Sequence, residues 1–201
     1  MIKAQQRNLN LKRAYAAVAS NRLTSDWISL GTSADSEIRN SLRLLRNRAR
    51  QLVRDSDFAK AALRAVRNNV VGTGIKHQSQ VQMARGGKLD DRFNTMIEKQ
   101  WNQWTCADTC HVGGQLSWVE IQRLSITSML ESGEVFIRLI NQKFGDSKVP
   151  LGLEVREADL LDDDYTGIEA NGNRVRMGVE IDKWGRPVAY HFLRNHPGDY
   201  Q

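Results

Sequence analysis

Two hydrophobic periods occur in this chain, and their order limits what it can fold into. Between residues 33 and 70 apolar side chains recur at steps of three and four, whereas between 134 and 192 they gather in short runs of branched residues. Val175, Met177, Val179 and Ile181 also alternate with polar neighbours. The first spacing lays a stripe along one side of a helix; the second lays one face of a strand against a core. Helices followed by strands, without regular strand–helix alternation, imply an α+β fold: a helical N-terminal arm leading into a mixed region of helices and antiparallel strands.

The arm can be read residue by residue. Ser33 can cap a helix whose first turn holds Asp35 and Glu37, carboxylates suited to the unpaired N–H groups there. The spacing predicts one helix from there to about Arg54, with Ile38, Leu42, Leu45, Ala49 and Leu52 as its apolar stripe. Beside that stripe runs a second one of arginines: Arg39, Arg43, Arg46, Arg50 and Arg54. A further helix follows, with Phe58, Ala61, Ala62, Ala65 and Val66 as its apolar face, ending near Asn68, Asn69 and Gly72.

Beyond Gly72 the pattern changes. Val70 to Ile75 reads as a helix end turning into a short strand, and Arg85-Gly86-Gly87-Lys88 as a loop. Asp90 and Asp91 can open a helix with Phe93, Ile97, Trp101 and Trp104 on its buried face, and Ser117 with Glu120 forms a capping box for a helix from Trp118 to about Glu131, stopped by Gly133. Residues 134–140 and 151–155 read as strands, Val175 to Ile181 as one more, and Asp182 to Arg186 as the turn of a hairpin whose return strand is Pro187 to Phe192. The expected organisation is therefore residues 1–72 as a basic helical arm and 73–201 as an α+β region. Asn195 to Gln201 reads as a loop and not as a finished element, as expected of a truncated chain.

Charge sharpens this division. The net charge of +6 conceals an arm with 14 Lys+Arg against 5 Asp+Glu in residues 1–67 and a remainder with 15 against 18. The acidic excess concentrates in Glu154, Glu157, Asp159, Asp162, Asp163, Asp164 and Glu169, opposed locally by Arg156 alone. Guanidinium groups at helical spacing can contact a polyanion such as DNA, with salt-dependent affinity. They can equally form a solvated face or pair with acids on a neighbouring copy.

Other chemistries leave weaker traces. No run of eighteen apolar residues occurs, and the opening Met1 to Arg7 holds no apolar stretch, so neither a spanning helix nor a secretory signal is expected. Cys106, Cys110, His111 and His77 could be assembled into a zinc site, but one Cys-x-x-x-Cys without a second pair favours ordinary thiols. Asp162-Asp163-Asp164 lacks EF-hand spacing. Phosphate-loop, nucleophile-elbow and zinc-protease motifs are absent, so no catalytic residue, cofactor or metal is assigned. Trp101, Trp104 and Trp118 could stack on bases, although at helical spacing a core role fits better.

Several segments, in order, resemble the lambda-type portal proteins of tailed phages. They are Tyr15-Ala16-Ala17, Asn21-Arg22-Leu23, Asp26-Trp27, Ser33-Ala34-Asp35-Ser36 and the run from Leu45 to Arg54. Further on, Asn68 to Ile75, Trp101-x-x-Trp104, Gly133 to Phe136, Glu157 to Leu160, Gly178 to Asp182, Gly185 to His191 and His196 to Asp199 continue the series. The resemblance implies a non-enzymatic homo-oligomeric ring, usually a dodecamer, at one vertex of the capsid in the virion, assembled in the host cytoplasm. Sequence-independent double-stranded DNA would pass through it, and terminase, scaffold or major capsid protein and head–tail connector proteins would dock on it; no membrane is involved. It also implies that this chain is the N-terminal portion of a longer one, an arm and part of a wing. The arginine stripe is then expected to meet a neighbouring subunit, scaffold or capsid protein, or else DNA phosphate. A free DNA-binding packaging factor resembling a small terminase subunit is the competing reading, and a metal-dependent nuclease using the acidic cluster comes third.

Overall fold

The computed structural model describes residues 22, 26, 31–84 and 86–199. Met1 to Arg7, Tyr15-Ala16-Ala17, Asn21, Leu23, Trp27, Arg85 and the final Tyr200-Gln201 lie outside the described residues. The chain divides into two compact units, Met1–Glu37 and Ile38–Gln201.

The helix expected from Ser33 to Arg54 is two helices. A single turn, α1 (Ala34–Ile38), starts where the Ser36 N–H meets Ser33 Oγ at 3.3 Å. The longer α2 (Leu42–Asp55) begins after a turn at Arg39-Asn40-Ser41. Asn and Ser compete with the helix for backbone hydrogen bonds, which makes that turn a natural break in the apolar period. Ser56 then serves two helices: its N–H donates to Leu52 O at 2.9 Å, closing α2, and its hydroxyl accepts from Ala59 N at 3.4 Å, opening α3 (Asp57–Val70).

Both helices bury a different face from the expected one. On α2, Arg46 is only 3% exposed while Leu45 and Leu52 are 56% and 59% exposed. On α3, Phe58 is 91% exposed, and Ala61, Ala62, Ala65 and Val66 also face outward, whereas Ala59, Leu63 and Arg67 are half-buried. Periodicity locates the helical segments; the face that packs is decided by what lies opposite.

The centre of the larger unit is a tryptophan core. Helix α4 (Asp91–Trp104) is capped by Asp90, which accepts from Phe93 N at 3.0 Å. It leads through the short α5 (Ala107–Cys110) to α6 (Trp118–Ser132). The Ser117 and Glu120 capping box forms as expected, with Ser117 N donating to Glu120 Oε2 at 2.8 Å, and Gly133 closes α6 at φ +84°. Trp104, Cys110 and Ile121 are buried together with Leu153, and Trp101 and Trp118 pack on them with ring centroids 5.2 to 5.9 Å apart. Trp104 Nε1 donates to Leu151 O at 2.7 Å, so this large apolar ring leaves no polar atom unmatched.

Phe93, expected in that core, is exposed, and its neighbour Asn94 is buried instead. Asn94 holds the preceding loop: its Oδ1 accepts from Ser79 Oγ at 2.7 Å and Val81 N at 2.8 Å, while its Nδ2 donates to Val81 O at 3.0 Å. The short strand expected at Ile75 forms no ladder. Its backbone is satisfied by side chains of α6, with Ile75 N donating to Gln122 Oε1 at 2.9 Å and Ile75 O accepting from Trp118 Nε1 at 3.2 Å. Gly74 makes this close approach possible: a Cβ there would lie 2.5 Å from Val119 Cγ2.

Two antiparallel sheets complete the α+β fold. Strands β1 (Phe136–Ile140) and β2 (Gly152–Arg156) pair from Phe136 opposite Arg156 to Ile140 opposite Gly152. The second sheet is a meander of β3 (Gly167–Ile168), β4 (Arg174–Arg176), β5 (Val179–Ile181) and β6 (Pro187–Tyr190). The single strand expected over Val175 to Ile181 is in fact a hairpin. Met177 and Gly178 both take positive φ, +48° and +79°, the requirement of a two-residue type I′ turn. Apolar residues continue at every second position across this turn, so Gly178 alone marks it in the sequence, but the fold does not keep them on one face: Val175 pairs with Glu180, while Val179 and Ile181 pair with Arg176 and Arg174. The expected hairpin at Asp182 to Arg186 forms, with Asp182 Oδ1 accepting from Trp184 N and Arg186 N at 2.8 and 2.9 Å. Among the described residues no helix is long and apolar enough to cross a membrane.

Candidate functional site

The arginine stripe and the acidic segment meet within one chain. Arg39 Nη2 lies 3.5 Å from Asp164 O. One turn on, Arg43 forks onto two carboxylates, donating to both oxygens of Asp163 and to Asp164 Oδ2 at 2.7 Å. Arg46, fully inside, pairs with Glu134 and donates to Ser132 O at 3.3 Å and Ala158 O at 3.5 Å. Arg50 pairs with Asp159 and donates to Ser132 Oγ at 2.8 Å. Arg54, the last of the five, pairs among the described residues with its neighbour Asp55, at 3.3 Å.

Residues 157 to 164 explain why this docking works. A 3-10 turn at Ala158–Leu160 presents Asp159 and a backbone carbonyl toward α2, and the following bend presents Asp163 and Asp164. Asp163 is buried, so its charge must be compensated, and Arg43 does so with a planar fork that matches a carboxylate. The paired aspartates hold the Arg43 guanidinium even more firmly protonated than usual. For Glu134 it is the charged form that is disfavoured: burial raises its carboxyl above the ordinary range, and the attraction of Arg46 opposes that rise. Packing the arginine edge of α2 on these acids turns its leucines outward.

The other sequence candidates are dispersed. His77 lies against Trp101 with ring centroids 5.4 Å apart, and His111 Nδ1 accepts from Gln115 N at 3.2 Å. Cys106 is exposed; Cys110 is buried, and burial pushes its thiol up to about 11, which makes it a poor nucleophile or metal ligand. Trp101 and Trp104 line an open, largely apolar cavity of about 550 Å³ together with Met96, Ile97, Val149 and Leu151. Two groupings of potential metal ligands occur among the described residues: Glu157, Asp159 and His196, and Glu169, Glu180 and His191. Sequence spacing did not suggest either, because each draws on residues separated by loops and strands.

Comparison with known proteins agrees with the resemblance noted from sequence. The model of the family described as "Phage portal protein, lambda family" matches residues 20–201. A "Probable portal protein" of Halomonas phage phiHAP-1 is 35% identical over 192 residues, covering 94% of this chain and 36% of that relative. This chain thus spans about a third of the relative's length.

Proposed function

Since this chain belongs to the lambda family of phage portal proteins, we propose that it is a subunit of the ring at the capsid vertex through which DNA is packaged and ejected. The observation that carries the reading is the family match over residues 20–201. In this role residues 1–72 act as arm and 73–201 as part of a peripheral wing, in a ring of about twelve copies assembled in the host cytoplasm and retained in the virion. Terminase, scaffold or major capsid protein and head–tail connector proteins dock on the ring. Double-stranded DNA passes through it without sequence recognition. The part played by this chain is structural, with no catalytic residue, cofactor or membrane contact assigned.

Two features support a ring. A closed ring needs a heterologous interface, one face of each copy meeting a different face of the next. Leu45, Leu52 and Phe58 offer an exposed apolar surface for such a contact. The arginine stripe contributes from inside the subunit: Arg43, Arg46 and Arg50 fix α2 on residues 132–164, while Arg39 and Arg54, with lighter engagements, are the positions left for a neighbour or a phosphate. A free packaging factor would need the stripe's charge for DNA, and its three central members already face acids of their own chain.

The test is the mass of the purified chain in solution, by light scattering at low and high salt, repeated for Leu45→Glu and Phe58→Glu. A ring of many copies that the two substitutions dissociate supports the proposal. A monomer that binds duplex DNA tightly in a salt-dependent manner supports the packaging factor instead.

A further inference from the structure

The four-stranded sheet gathers a second polar cluster, apart from the arginine face. Glu169 follows β3, Glu180 lies in β5 and His191 follows β6, and their ligand atoms all lie within 4.8 Å of one another. Glu180 is an internal carboxylate, its side chain nine-tenths buried. Asn171 Nδ2 and Asn173 Nδ2 both donate to its Oε1, at 2.9 and 2.7 Å. Its other oxygen, Oε2, lies 3.6 Å from His191 Nε2. Glu169 Oε1 lies 3.7 Å from that same nitrogen and accepts from Tyr165 Oη at 2.7 Å. The Tyr165 ring stands edge-on to the imidazole at 5.0 Å and 76°. His191 Nε2 itself is buried and has no hydrogen-bond partner among the described residues.

That unmatched nitrogen between two carboxylates is the key observation. Separations of 3.6 and 3.7 Å exceed the roughly 2.7–3.2 Å of an N–H···O bond. They come closer to the spacing of two ligands that share one ion at about 2.0–2.2 Å from each. The outer partners are also of the kind that orient metal ligands: two amides on one carboxylate, a phenol on the other, an aromatic edge on the imidazole. We propose that Glu169, Glu180 and His191 bind a divalent transition-metal ion of the zinc class, with water in the remaining position. One imidazole with two carboxylates is a mixed nitrogen and oxygen set, which suits zinc, cobalt or manganese better than the all-oxygen preference of calcium and magnesium. The ion acts as a staple. Strands β3 to β6 are two to four residues long, and Val175 is the deeply buried apolar residue among them, so a link from β3 through β5 to β6 fixes a sheet that apolar burial holds weakly.

The site goes beyond the portal reading and does not depend on it. The test is calorimetric titration of the chelator-treated full chain with zinc, with thermal melting alongside. The expected result is one equivalent of zinc bound and a raised Tm, binding lost in His191→Ala and weakened at least tenfold in Glu180→Gln, and both retained in His196→Ala. Cobalt titrated into the unaltered protein adds a readout independent of any variant's folding: visible bands of a nitrogen- and oxygen-ligated ion, abolished by zinc. Absence of stoichiometric binding, or binding that His191→Ala leaves unchanged, overturns the proposal. So does a Tm that responds to pH across the histidine range but not to zinc, which would make the cluster a proton-bridged clasp.

Discussion

The tryptophan core and the arginine face of α2 anchor the same compact unit by opposite chemistries. Around Trp104 the contacts are apolar, contributed largely by α4, α6 and β2, and the one polar atom of the ring finds a carbonyl. Along α2 the contacts to residues 134–164 are ionic, between residues separated by 88 to 121 positions, and leucines are left outside. The first arrangement tolerates many partners of suitable shape. The second accepts only a matching arrangement of acids, so it fixes the position of α2 with less latitude. An ion pair of this kind is a poor source of net stability but a strong source of specificity, since breaking it strands a charge.

Substitutions can break this comparison, and the largest effect is expected in the core. Trp104→Ala removes a buried indole and should cost about 3–5 kcal/mol in urea unfolding; a loss of under about 1 kcal/mol would mean that the tryptophans do not form the core. Arg46→Met comes next, at about 3 kcal/mol, because Glu134 and two carbonyls lose their donor. An equal or increased stability would show that burial of the ion pair is a net cost. Arg43→Ala should cost less, about 1–3 kcal/mol: Arg43 is half exposed, but its removal leaves the buried Asp163 carboxylate without its partner.

The smallest effect is in the acid response. Glu120 has its carboxyl lowered by the hydrogen bonds to Ser117, so its contribution is present above the unfolded carboxylate value and is lost as pH falls through the lowered folded one. Glu134 is raised, so its contribution has the opposite sign: present below the unfolded value and lost as pH rises through the folded one. Urea unfolding from about pH 3 to pH 7 should therefore show a reduced acid loss in Glu120→Gln and a steeper one in Glu134→Gln. The same change in both variants would contradict the assignment.

The difference between the regions also explains what could be read from sequence. The α+β class, the capping box at Ser117 and Glu120, and the cap at Asp90 are local patterns, and each is found where expected. The packed face of α2 was not legible, because it depends on Asp159, Asp163 and Asp164, more than a hundred residues away. Both charge clusters were visible, but their pairing in one chain was not. The Met177-Gly178 turn was hidden for a different reason: apolar residues continue at every second position across it, although the turn puts Val175 opposite Glu180 and so on the other face from Val179 and Ile181. The grouping of Glu169, Glu180 and His191 exists only once the meander has folded.

The most direct test of the central claim, that the arginine stripe acts within its own subunit, is a double-mutant cycle on Arg46 and Glu134. Unfolding free energies would be measured for the parent, Arg46→Met, Glu134→Gln and the double variant. A coupling of about 1–3 kcal/mol is predicted for a buried pair in contact. A coupling near zero, with ring assembly lost in Arg46→Met while stability stays intact, would contradict the account and place the stripe at a contact between subunits.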